Sequence, residues 1–67
     1  MNVIINSTKN DLVKIRVVDM MGKEVLLESM ATNAGANTKN LELKNGVYVL
    51  LLSNSSGERW SNKIVVQ

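Results

Sequence analysis

Few side chains in these 67 residues are able to do chemistry. Histidine and cysteine are both absent, which removes the usual general base, the thiolate nucleophile and the commonest metal ligands. Six carboxylates remain: Asp11, Asp19, Glu24, Glu28, Glu42 and Glu58. Two carboxylates facing each other across a bond would suffice for glycoside hydrolysis. Such a pair also needs a pocket and a positioned acid and base. Here Asp19 opens a turn, Asp11 lies in a loop, and the glutamates fall at solvent-facing or strand-end positions. The chain is therefore expected to be non-catalytic and to hold no metal or cofactor.

Trp60 is the only tryptophan. Exposed on a sheet, it would offer a platform for a sugar ring. Its phase with Ile64 and Val66 instead predicts a buried anchor. The cations Lys9, Lys14, Arg16, Lys23, Lys39, Lys44, Arg59 and Lys63 are scattered along the chain. That distribution suits a solvated surface and protected sheet edges, not a nucleic-acid stripe with interleaved aromatics. Asn6-Ser7-Thr8 and Asn54-Ser55-Ser56 match the glycosylation sequon, a three-residue pattern common by chance.

These residues must be positioned by a small scaffold. A chain this short buries only about 60% of its unfolded surface, and without cysteine no disulfide supplements the core. The net charge of +2 is mild and does not by itself predict binding to nucleic acid or membrane. The longest uninterrupted apolar run, Val47–Leu52, is too short to span a bilayer. The opening MNVIINSTKND lacks a cationic stretch followed by a continuous apolar one, so it is not expected to act as a signal peptide.

Glycines at 22, 35, 46 and 57 are spaced eleven to thirteen residues apart, a spacing suited to short strands joined by turns. Asp19-Met20-Met21-Gly22, Thr32-Asn33-Ala34-Gly35 and Asn54-Ser55-Ser56-Gly57 share one pattern. Each puts a short polar side chain first and glycine fourth, as a type I turn prefers. A left-handed glycine after such a turn closes a hairpin with a bulge. Between the turns lie six expected strands: Asn2–Ser7, Leu12–Asp19, Lys23–Met30, Ala36–Leu43, Val47–Ser53 and Arg59–Val66. Lys23–Met30 is rich in helix formers, but the turn before it fits a hairpin. In Leu12–Asp19, Val13, Ile15 and Val17 share one face and Lys14 and Arg16 the other. Six short strands without a helix imply an all-β fold, an antiparallel β-sandwich or an open barrel.

Val47–Leu52 is apolar on both faces, as expected of a central strand. Tyr48, Leu50 and Leu52 form one face and Val47, Val49 and Leu51 the other. One face is expected to meet the opposite sheet. The other needs cover from a long side chain, a partner or another domain.

The order of the pieces resembles a known family. Strand–turn–strand VKIRVVDMMGKEV is followed by LELKNGVYVLLL, and the sequence ends in SNKIVVQ. Together these resemble the type A C-terminal sorting domain of the type IX (Por) secretion system, over residues 11–67. The resemblance implies an immunoglobulin-like sandwich with no chemistry of its own, appended to a secreted cargo domain. It implies recognition by the type IX outer-membrane translocon and removal by a sortase-like peptidase, with the cargo passed to an anionic lipopolysaccharide at the cell surface. The motif residues carried over are Asp19, Gly22, Lys23, Gly46, Tyr48, Lys63, Ile64, Val65 and Val66. Gly22 and Gly46 are expected to take turn conformations that a Cβ disfavours. Lys63–Val66 is expected to form an edge or terminal strand open to strand addition.

The family usually opens with a Pro-Asn-Pro segment and a strand, and this chain has no proline. The resemblance therefore implies a sorting domain over 1–67 that either lacks its first strand or is a divergent member. An edge exposed in this way predicts a homodimer by edge pairing or strand exchange. The main alternative is an immunoglobulin- or fibronectin-like binding module for carbohydrate or protein. An exposed groove around Trp60 would favour it, and a buried Trp60 would weaken it. A structural repeat from a larger adhesin is a further alternative.

Overall fold

The computed structural model describes all of residues 1–67. Six strands follow in chain order: β1 (Asn2–Ser7), β2 (Asp11–Asp19), β3 (Glu24–Thr32), β4 (Gly35–Asn40), β5 (Gly46–Asn54) and β6 (Arg59–Val66). They form two antiparallel sheets, β1-β4 and β3-β2-β5-β6. The larger sheet has the C′-C-F-G order of immunoglobulin-like sandwiches, and β1 and β4 take the places of B and E in the facing sheet. The expected all-β sandwich is thus the fold.

Two of the three matching turns close hairpins. At Asp19–Gly22 the Gly22 amide donates to the Asp19 carbonyl at 3.0 Å, and Gly22 takes φ 83°. The Asp19 carboxylate accepts from the amides of Met21 and Lys23, the local cap that favours aspartate there. Asn54–Gly57 repeats the design, with Gly57 at φ 87° and the Asn54 side chain accepting from the amides of Ser56 and Glu58.

The third match is different. Thr32–Gly35 joins β3 in one sheet to β4 in the other, so it crosses layers and closes no hairpin. Its organiser is Asn37, which accepts from the Asn33 amide and donates to the carbonyls of Asn33, Gly35 and Ile5.

The fourth strand also ends earlier than Leu43. It stops at Asn40, because Leu41 leaves the sheet to fill the space between the layers and is fully buried. The Leu41 amide donates to the Met1 carbonyl at 2.7 Å, which pins the exit. The core is small: Val3, Val13, Ile15, Val17, Leu41 and Leu50. The inward row of β5 joins it, since Tyr48 and Leu52 pack against the cluster beside Leu50. Val47, Val49 and Leu51 therefore face outward.

Two polar ties help hold the layout. Lys39 on β4 reaches Glu28 on β3 at 3.6 Å, an ion pair between the sheets. It also places an inward charge on an edge strand, one way edges are kept from pairing. At the other end, the Asp11 carboxylate accepts from the amides of Leu12 and Ser55 and from the Ser55 hydroxyl, tying β2 to the β5–β6 hairpin. The Ser55 hydroxyl is the main reason its pKa is held below the ordinary carboxylate range. A lowered folded pKa stabilises above the unfolded value of about 3.9 and is lost as pH falls through the folded value. Asp11→Asn is therefore expected to flatten the acid limb of the stability profile below about pH 4, as read by urea melts across pH. An unchanged limb would remove Asp11 from this role.

Candidate recognition site

The residues singled out by the motifs lie far apart in sequence and meet at one end of the four-stranded sheet. Asp19 pairs with Tyr48 across β2 and β5. Tyr48 pairs with Ile64, Val47 with Val65, and Gly46 with Val66, across β5 and β6. The Asp19–Gly22 turn and Lys23 extend directly from the Asp19 end of this row.

Tyr48 is the hinge of this end. Its ring packs against the core, and its hydroxyl donates to the Lys44 carbonyl at 2.7 Å, four residues upstream. This is the geometry of a tyrosine corner near the start of the F strand. Gly46 lies under the same ring. Its φ is not positive, so the expectation of a turn glycine is corrected. Its reason is space, because a Cβ there would stand 3.2 Å from the Tyr48 hydroxyl and 3.3 Å from the ring carbon bearing it. Gly46→Ala is expected to cost about 1–3 kcal/mol by overpacking. In a Tyr48→Leu background the same change should cost far less. Equal costs in both backgrounds, read by urea titration, would separate Gly46 from the ring.

β6 is an edge strand, paired only with β5. Ile64 faces inward and packs against the core. Lys63 and Val65 are exposed on the outward face, and Val66 is half-buried. The end thus combines a capped turn, a tyrosine corner and an unpaired strand edge.

The six carboxylates are all drawn into contacts that hold the fold. Asp11 and Asp19 bond their turns and neighbours as described. Glu24 pairs with Arg16 at 3.0 Å, Glu28 with Lys39, Glu42 with the Asn40 side chain and Glu58 with the Asn54 side chain. Each is engaged in a structural contact.

A family model described as the secretion system C-terminal sorting domain matches residues 1–67. The chain belongs to this family. The match includes β1, beyond the stretch 11–67 that carried the resemblance. The sorting domain acts as a C-terminal signal for type IX secretion, which carries proteins across the outer membrane to the cell surface or the extracellular space. It is attached to a cargo protein and interacts with the secretion machinery. No curated protein and no solved structure matches the chain.

Trp60 departs from expectation. It pairs with Leu52 on the inward side of β6, as its phase requires, yet it is 46% exposed. The two-stranded sheet is too narrow to cover this edge of the four-stranded one. Trp60 therefore borders an open groove of about 230 Å³ shared with Ile5, Ser7, Leu52 and Asn62. Periodicity predicts the correct face, but β1 stands across an open groove from it and does not close over the ring.

Proposed function

We propose that the sheet end formed by the Asp19–Lys23 turn, Gly46–Tyr48 and Lys63–Val66 is the surface through which the type IX outer-membrane translocon recognises the sorting domain. The observation that supports this is the convergence of three sequence-distant motifs on one end of one sheet. The free edge of β6 would serve strand addition, with its alternate side chains giving specificity. On this reading a sortase-like peptidase then removes the domain, and the cargo is anchored at the surface on anionic lipopolysaccharide. The domain supplies shape and no catalysis.

Replacing all of Lys63–Val66 would remove Ile64 from the core, so the cleaner variant changes only outward residues. Lys63→Ser with Val65→Ser is expected to leave the fold intact and to reduce export of a fused cargo. Full export by this double variant would sink the β6 surface as the recognised element.

A homodimer by edge pairing or strand exchange is part of the same reading. The supporting feature is β1, whose free edge carries no charge, no proline and no bulge, the devices that usually protect an edge. Sedimentation across a concentration series should show dimer growing with concentration. Monomer throughout would contradict it.

A second reading, a binding module for carbohydrate or protein, is favoured by the exposure of Trp60 over its groove. Trp60→Ala should then abolish binding to a glycan or protein ligand while leaving export unchanged.

A further inference from the structure

Charge is not spread evenly over this small surface. The outward face of the four-stranded sheet carries Lys14, Arg16, Arg59 and Lys63 against one carboxylate, Glu24. That is a net +3 on one face, while the whole chain carries +2. The rest of the molecule is therefore slightly acidic.

Three of these cations line one shallow groove of about 620 Å³ that contains no carboxylate. The register builds it. Lys14 pairs with Ser53 and Ser53 with Arg59, so the two cations stand on either side of a serine. Two residues along, Arg16 pairs with Leu51 and Leu51 with Ser61. From strand spacings, Lys14 and Arg59 are about 10 Å apart at the backbone, and Lys14 and Arg16 about 7 Å. Arg16 keeps part of its guanidinium fork free beside Glu24, and Lys14 and Arg59 have no ion-pair partner. The Ser53 and Ser61 hydroxyls make no hydrogen bond within the chain.

We infer that this groove binds a saccharide bearing several sulfate or phosphate esters. Cations spread over about 7–10 Å suit repeated anionic groups better than one small ion. Arginine forks match sulfate and phosphate oxygens in bidentate fashion. The free serine hydroxyls offer partners to sugar hydroxyls. Trp60 is the one aromatic residue at the groove, whereas single-stranded nucleic-acid sites stack successive bases on several aromatic platforms. The inference does not depend on the sorting role.

The test is calorimetric titration of the 67-residue chain with a heparin-derived hexasaccharide at low ionic strength. Binding should weaken about tenfold or more in Lys14→Ser/Arg59→Ser, in keeping with the loss of two charge-assisted contacts, and should fall with added salt. Lys23→Ser/Lys44→Ser removes the same charge from the opposite end of the sheet and should bind as the parent does. Matched melting curves establish that both variants fold. Equal weakening in the two variants would reduce the effect to net charge and overturn the site. Absence of binding by the parent, or equal affinity for polyglutamate of the same charge, would overturn it as well.

Discussion

Leu41→Ala is expected to lower the unfolding free energy by about 2–5 kcal/mol, the range for truncating a buried leucine. A core this size rarely supplies more than about 3–5 kcal/mol in total, so the variant should be largely unfolded in water. The reason lies in position as much as in volume. Leu41 is fully buried although it lies outside every strand. It fills the space between the sheets at the point where the chain leaves β4, held by the Met1 carbonyl. Few other side chains are available to close over the cavity, because the buried apolar cluster has six members. Equilibrium urea unfolding measures the loss directly. Leu12→Ala is the matched control, since Leu12 is 58% exposed, and surface changes of that kind stay within about 0.5 kcal/mol. Equal losses for the two would contradict the assigned core.

Tyr48→Ala should be the next most damaging change, at about 3 kcal/mol, the low end for aromatic truncations because the ring is only half-buried. Two contributions combine there. The ring packs against the core and over Gly46, and the hydroxyl donates to the Lys44 carbonyl. Tyr48→Phe isolates the second and should cost about 1 kcal/mol. The difference between the variants then measures the ring. If Phe cost as much as Ala, the corner hydrogen bond would be the anchor and the packing incidental. Export should follow the same order, because the ring fixes the geometry between Asp19 on one side and Ile64 on the other.

These two positions also show what the sequence makes legible. Tyr48 and its strand are readable because the apolar run begins at a glycine, and the alternation separates Tyr48, Leu50 and Leu52 from Val47, Val49 and Leu51. β6 is readable to the residue, since Arg59–Val66 is bounded by a turn and by the end of the β-branched run. The turns at Asp19 and Asn54 are readable because one side chain caps and one glycine takes positive φ, both local requirements. Thr32–Gly35 carries the same local letters, yet its path is decided by Asn37 and by a change of sheet, which no four-residue pattern encodes. The role of Gly46 depends on where the Tyr48 ring lies. The exposure of Trp60 depends on the width of the facing sheet, while periodicity fixes only the direction of a side chain. Leu41 is apolar in sequence, but its place outside the strand follows from the crossing between layers.

The candidate site follows the same division. Its parts, Asp19–Lys23, Gly46–Tyr48 and Lys63–Val66, are visible as separate motifs. Their meeting at one sheet end follows from the β2–β5–β6 order, in which β2 and β5 pair although 26 residues separate Asp19 from Gly46. The cationic groove was hidden for the same reason: Lys14, Arg16 and Arg59 look scattered along the chain, and cross-strand register brings them together.

The central claim is that this folded end is a sorting signal. Its most direct test is an export assay with residues 1–67 fused to the C-terminus of a periplasm-targeted fluorescent reporter. The host carries an intact type IX system, and a translocon-deficient strain is the comparison. The expected result is reporter on the surface or in the medium only where the translocon is intact. Retention of a folded fusion in the periplasm of both strains, or release that does not depend on the translocon, would contradict it.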